Sequence, residues 1–313
     1  MTKTHLSRRT LSYAALIFVI LVWSTVPVVT ASLYERYTPT ILTATTALIS
    51  GISLLVISFP ERRRFSLDYL KLAVPTGIFN SAASILQKIG LQYTTPARYA
   101  FLENLSCVVV PILLFLFLRK KPSVITVAAS LLCLLGSFIL SGVEIGGTVL
   151  GRGEVLCALA GLLYGVNIAA TGAFGKKLYP PLYVMIQIWI HSALSFATAF
   201  VMNAIERDGA PLEAIRFSWR FGDLCAILAL ALISSTLCWI IRTSVMKHIN
   251  ASAVAILMPF SAVVTGIISV ILGMDTLGLP LILGALISLA AAILSGFGDR
   301  REHRNEIKET TNE

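Results

Sequence analysis

The sequence repeats itself: its apolar segments fall into two groups of five, and the second group echoes the first at a nearly constant offset. A shift of 141 residues pairs Trp23 with Tyr164 and Pro39 with Pro180. Beyond a longer polar insertion around residues 204 to 221 the offset becomes about 155, which sets Gln87 against Arg242; at 154, Ile139-Leu140-Ser141-Gly142 meets Ile293-Leu294-Ser295-Gly296. One such match between apolar segments means little, whereas several in the same order mark a duplication. Five is an odd number of crossings, so the second copy of a membrane-spanning pentad starts from the opposite face. Inverted topology is the expected result.

A membrane is the medium that composition requires. Hydrophobic residues make up 56% of the chain and charged ones 13%, about half the charged share of a soluble domain, and mean hydropathy is +0.83. A crossing takes about 20 apolar residues for roughly 30 Å of hydrocarbon. Ten fit, at 12–33, 39–59, 69–90, 97–118, 124–142, 152–173, 180–203, 222–246, 250–273 and 278–297. The expected fold class is all-α integral membrane, ten transmembrane helices as two inverted five-helix repeats around a central cavity. The first repeat occupies residues 1–145, the second 146–298, and residues 299–313 form a charged cytoplasmic tail that reads as a solvated end.

With both termini inside, 18 of the 25 Lys and Arg residues flank the cytoplasmic ends, among them Arg62, Arg63, Arg64, Lys176 and Lys177, and 7 lie outside, among them Arg36, Arg216 and Arg220. That is the positive-inside bias of a multi-pass protein of the cytoplasmic membrane. The net charge of +9 is thereby explained as topology, and its scatter in short clusters argues against nucleic acid as a partner. Val29-Thr30-Ala31 could end a secretory signal, but the preceding apolar run is too long, and Trp23 has a counterpart in Tyr164, so the first span is expected to be retained. The five cysteines lack metal-like spacing and read as small buried apolar residues. No metal and no cofactor is expected.

Polar residues on a span must find a partner, backbone or water inside the bundle, and they recur here on single helical faces. Asn80, Ser84 and Gln87 share a face of the third span; Tyr164, Asn167 and Thr171 of the sixth; Tyr183, Gln187, His191 and Ser195 of the seventh; Ser235, Trp239 and Arg242 of the eighth. Converging faces of this kind are expected to line a water-accessible cavity for a polar solute, with Trp23 and Trp239 as walls. Helix-to-helix glue is the plainer reading of any single Asn, Gln or Ser. Glu103, read as lying several residues into the fourth span, is the sharpest candidate: a binder of a cationic group or a carrier of a coupling proton, against a structural ion pair with Lys88 or Arg98. His191 is the second candidate for proton coupling. Arg242 is expected to snorkel to the cytoplasmic interface, the alternative being attraction of an anionic group. Pro27, Pro75 with Gly77, Pro111 and Pro259 are the helix breakers at which spans could bend.

Catalysis lacks its parts. There is no HExxH, GxSxG or GxxxxGK[ST]. Gly296-Phe297-Gly298-Asp299 matches the GxGD of intramembrane aspartyl proteases, but no predicted span supplies the second aspartate. No catalytic residue is assigned.

Residues 90–123, GLQYTTPARYAFLENLSCVVVPILLFLFLRKKPS, and the matching segment at 246–278, together with Val22-Trp23-Ser24, resemble the drug/metabolite transporter superfamily, specifically its EamA-type family of two five-helix repeats. Thr43-Ala44-Thr45-Thr46 and Arg119-Lys120-Lys121 depart from that pattern, where many relatives carry an arginine and a glutamate. The resemblance implies a secondary active transporter working by alternating access, with export ahead of uptake. Its cargo is a small polar or amphipathic metabolite, an amino acid or related compound being one option, and its partners are the lipid bilayer, that solute, and a coupling proton or counter-substrate. A membrane binding or scaffold protein without net transport, and a lipid flippase, are the alternatives.

Overall fold

A computed structural model describes residues 2–94, 102–119, 121–140, 151–207, 210–211, 213–272 and 278–311. Within these the chain is helical: α1 (Thr2–Leu33), α2 (Pro39–Ser58), α3 (Leu67–Leu91), α4 (Ser106–Leu118), α5 (Val124–Leu140), α6 (Arg152–Phe174), α7 (Pro180–Ala204), α8 (Phe221–Ala229), α9 (Cys238–Val245), α10 (Ala251–Leu257), α11 (Phe260–Ile271) and α12 (Leu279–Thr311). A π-helical stretch, Leu230–Leu237, joins α8 to α9 without a break. Short 3-10 turns follow α2 and α6, and a two-residue antiparallel ladder, Glu206–Arg207 with Ala210–Pro211, lies after α7.

Pro39 and Pro180, paired by the repeat, each open a helix. The N–H groups of a first helical turn have no intrahelical acceptor, so proline's missing donor costs nothing there and its fixed φ favours the helix. Among the described residues, six stretches are long and apolar enough to cross a membrane: Arg8–Thr30, Pro39–Arg64, Arg152–Lys177, Pro180–Ala204, Phe221–Val245 and Ala251–Ile268. Ser106–Leu118, Val124–Ile139 and Ile282–Gly298 are apolar but shorter. α3 has the length, 25 residues, but Thr76, Asn80, Ser81 and Gln87, all buried, dilute its hydropathy. The surface is apolar and the interior carries polar groups: Ile52, Val56, Leu131, Leu286 and Phe200 are exposed, whereas Ser50, Asn80, Asn167 and Gln187 are buried. Water would not select that distribution; lipid does.

Four boundaries differ from expectation, the first being the start of α1, which lies at Thr2 and not at residue 12. α4 begins at Ser106, after a turn at Asn104-Leu105, and residues 97–101 of the expected span, Arg98 among them, lie outside the described residues. The expected ninth span is split into α10 and α11 at Met258-Pro259, because proline has no N–H to continue the ladder. α12 runs on through the charged tail to Thr311. The residues after Asp299 include Arg, Glu and Lys, which are good helix formers, and no proline interrupts them.

Helix directions follow from pairs of contacts. Gly51 of α2 faces Trp189 of α7, and Ser192 Oγ donates to the Ala44 carbonyl at 3.3 Å, so α2 and α7 run antiparallel. Gly136 and Thr126 of α5 face Ser288 and Gly298 of α12, again antiparallel. Tyr69, Thr76 and Gly77 of α3 meet Tyr179, Tyr183 and Gln187 in that order, so α3 and α7 are parallel. α6 packs closely through glycines. A Cβ on Gly161 would collide with the Leu102 carbonyl, and one on Gly172 with the Ala251 side chain.

Candidate functional site

Where α3, α6, α7 and α9 meet, the polar faces join into one hydrogen-bonded network. The Tyr183 hydroxyl lies 2.8 Å from Thr76 Oγ1 and 2.8 Å from Thr171 Oγ1, and Gln187 Nε2 donates to both Thr76 Oγ1 (2.7 Å) and the Tyr183 hydroxyl (2.9 Å). Asn167 Nδ2 donates to the Thr76 carbonyl at 3.0 Å, and its Oδ1 accepts from Arg242 Nη2 at 3.3 Å. Tyr183, Gln187 and Asn167 are each 1% exposed. The network is therefore packed shut in this structure, its polar groups satisfied by one another as burial requires.

Arg242 does not reach the interface. It is 4% exposed, and its guanidinium carbon sits 4.7 Å from the centre of the Trp239 ring, which in turn lies 5.7 Å from the ring of Trp23. Trp23 Nε1 donates to the Ser234 carbonyl at 3.2 Å, inside the π-helical stretch. That stretch also places Thr236 Oγ1 2.9 Å from the Ala231 carbonyl and 2.8 Å from both Ser50 and Ser53 of α2. A π turn displaces the following residues around the axis relative to an α-helix. Ser235, Trp239 and Arg242 thus do not form the simple stripe that a uniform 3.6-residue period assigns them.

A second cluster lies farther along α6. Tyr164 donates to Gln87 Oε1 at 2.9 Å, and Ser84 and the Glu103 carboxylate are both near enough to the Tyr164 hydroxyl to act on it. Glu103 is on the chain just ahead of α4, its backbone against Gly161, six residues or about 9 Å along the axis from Asn167. It makes no ion pair with Arg242, although both groups lie near enough to the Tyr164 hydroxyl to act on it. Asn104 beside it donates to Ser137 Oγ at 2.8 Å. One turn beyond Thr76 and Gln187, Asn80 Oδ1 and His191 Nδ1 are buried without a hydrogen-bond partner among the described residues, as is Ser195 Oγ.

The helix connections at the two ends are closed by bonds between halves. Glu213, in the polar insertion, accepts from Thr40 N (3.2 Å) and Thr40 Oγ1 (2.8 Å) at the start of α2, where a helix N-terminus favours an anion. Arg36 makes a two-pronged ion pair with Asp223, 2.8 Å for each prong. This hydrogen bond raises the Arg36 pKa from its ordinary value. Tyr37 donates to the Ser218 carbonyl. At the opposite end Tyr179 N donates to the Tyr69 hydroxyl at 2.8 Å, with the Arg64 guanidinium 5.5 Å from the Tyr179 ring.

The model of the EamA-like transporter family matches residues 10–142 and again residues 151–297. The chain belongs to the EamA-like transporter family. The two matches begin 141 residues apart (151 minus 10), the same shift that pairs Trp23 with Tyr164. No curated protein matches the sequence. Among solved structures, one described only as "Crystal structure of protein" superposes with a TM-score of 0.74 at 18% identity, over 93% of this chain and 98% of its own; this likeness concerns the fold alone. EamA-like membership makes the chain a multi-pass membrane protein of a transporter family, which is not an enzyme family.

The network includes members that the stripes did not assign. Thr76 is four residues before Asn80 and on its face, a period that points to it directly. Glu213, Arg36 and Asp223 carry no local signal beyond their place in polar connections.

Proposed function

We propose that the protein is a secondary active transporter that moves a small polar or amphipathic metabolite across the cytoplasmic membrane by alternating access, export being the favoured direction. The observation that carries this reading is the polar network at the core of an apolar bundle, with members from both halves: Thr76, an acceptor, from one, and Asn167, Tyr183, Gln187 and Arg242 from the other. Bilayer-embedded polar and ionisable groups of this density mark solute pathways.

The inverted ten-helix arrangement belongs to the same reading. It is supported by the repeated family match and by α2 and α7, equivalent under the repeat, running antiparallel. In this scheme the substrate enters between Trp23, Trp239, Arg242, Asn167, Tyr183 and Gln187 and displaces bonds the network makes with itself. Asn80, Ser84, Gln87, Glu103, Tyr164 and His191 line the continuation of the path, with Glu103 and His191 as the groups for proton coupling. Both termini are cytoplasmic.

Purified protein in sealed vesicles tests this. Flux of a stabilising solute, abolished in Gln187→Leu, is the expected result. Binding without flux would leave a membrane receptor or scaffold, and movement of a labelled lipid in place of solute would leave a flippase.

A further inference from the structure

Arg36 has Asp223 at 2.8 Å, and Arg64 has Glu61 at 2.5 Å. Arg242 is buried more deeply than either, yet no carboxylate pairs with it among the described residues. Its hydrogen bond goes to the neutral Asn167 Oδ1 and its face to Trp239. A charge in such a setting is normally offset by a partner of opposite sign. The Glu103 backbone packs against Gly161, six residues or about 9 Å along the α6 axis from Asn167, and its carboxylate makes no ion pair with Arg242.

We propose that the missing counter-charge comes with the ligand: the substrate of the site described above carries a carboxylate, and Arg242 is its anchor. The proposal deepens the transport reading and rests on it for calling the ligand a substrate. A planar guanidinium fork matches a carboxylate in shape. A phosphate monoester, with a charge of about −1.5 to −2, would exceed the single positive charge present. No second Lys or Arg among the described residues is bonded into the network: Lys88 is twelve residues from Thr76, about 18 Å along α3. Asn167 Nδ2, Gln187 Nε2 and the Tyr183 hydroxyl stand by as further donors, and the Trp23–Trp239 pair offers an aromatic wall to the rest of the molecule.

The test uses the purified full chain in detergent. Its thermal unfolding is followed with a panel of short monocarboxylates, with and without amino or hydroxyl groups, each beside its primary amide. At least one carboxylate is expected to raise the unfolding temperature saturably while its amide does not. In Arg242→Gln the half-saturating concentration should rise about tenfold or more, as for loss of a hydrogen bond to a charged group. Arg36→Gln should respond as the unaltered protein does. If Arg242→Gln does not fold, the carboxylate-to-amide comparison on the unaltered protein decides alone. Amides as effective as acids, no stabilisation by any carboxylate, or an undiminished response in folded Arg242→Gln would each overturn the proposal. Saturable carboxylate binding without flux in sealed vesicles would overturn the transport reading and leave the anion site standing. Flux of an uncharged solute undiminished in Arg242→Gln would do the reverse.

Discussion

The Tyr183 hydroxyl meets three side chains, from Thr76, Thr171 and Gln187, so its loss strands several buried groups at once. Tyr183→Phe is expected to destabilise the protein by about 1–3 kcal/mol, the cost of leaving such groups unsatisfied, and to lower the unfolding temperature in detergent measurably. His191 presents the opposite case. Its Nδ1 is buried without a partner among the described residues, so His191→Leu should leave the unfolding temperature unchanged or slightly raised. If His191 carries the coupling proton, the same variant flattens the dependence of flux on pH; flux that keeps its full pH dependence would remove His191 from that role. Much of the network was legible as periodicity, since Asn167, Tyr183 and Gln187 lie on the faces their spacing assigns. Arg242 was not, because snorkelling is the default for an arginine near a helix end. What holds it in, Asn167 and the Trp239 ring tilted against Trp23, includes partners 75 and more residues distant, which no local pattern records.

Helix α6 owes its central position to side chains it lacks. Gly161→Val is expected to cost about 1–3 kcal/mol through overpacking against the Leu102 carbonyl. Gly296, within α12, has nothing within 4 Å of where a Cβ would stand, so Gly296→Ala should be neutral or stabilising by about 0.5–1 kcal/mol. Paired unfolding curves check both, and equal effects at the two sites would discredit the close-packing account. Most helices were readable to within a few residues because span length and opening prolines are local properties. The π-helical stretch was not: Ser234-Ser235-Thr236 gives no periodic warning, and the geometry there depends on Ser50 and Ser53 of another helix. The break at Met258-Pro259 was foreshadowed by the proline, though its outcome, two separate helices, needed the neighbours that α10 and α11 acquire.

At the scale of the whole molecule, the duplicated halves predict that the connection after α2 and the connection after α7 lie on opposite sides of the membrane. Cys225 is exposed while Cys107, Cys133, Cys157 and Cys238 are buried, so Cys225→Ser provides a quiet background. In it, Ser66→Cys should react with an impermeant thiol reagent only from the cytoplasm and Ala214→Cys only from outside; reaction from one common side would refute the inversion. This placement is what the repeat predicts. How the two ends are fastened was not legible, because each fastening joins residues 100 or more positions apart. Their chemistry differs: near Arg36 the closure is ionic and touches water, whereas near Tyr69 it is a backbone amide on a phenol. Dissolved salt screens the first and spares the second. Under the alternation proposed above, ionic strength becomes a handle on which door swings more freely, and assays in dilute and in concentrated buffer are expected to find the two faces open in different proportion.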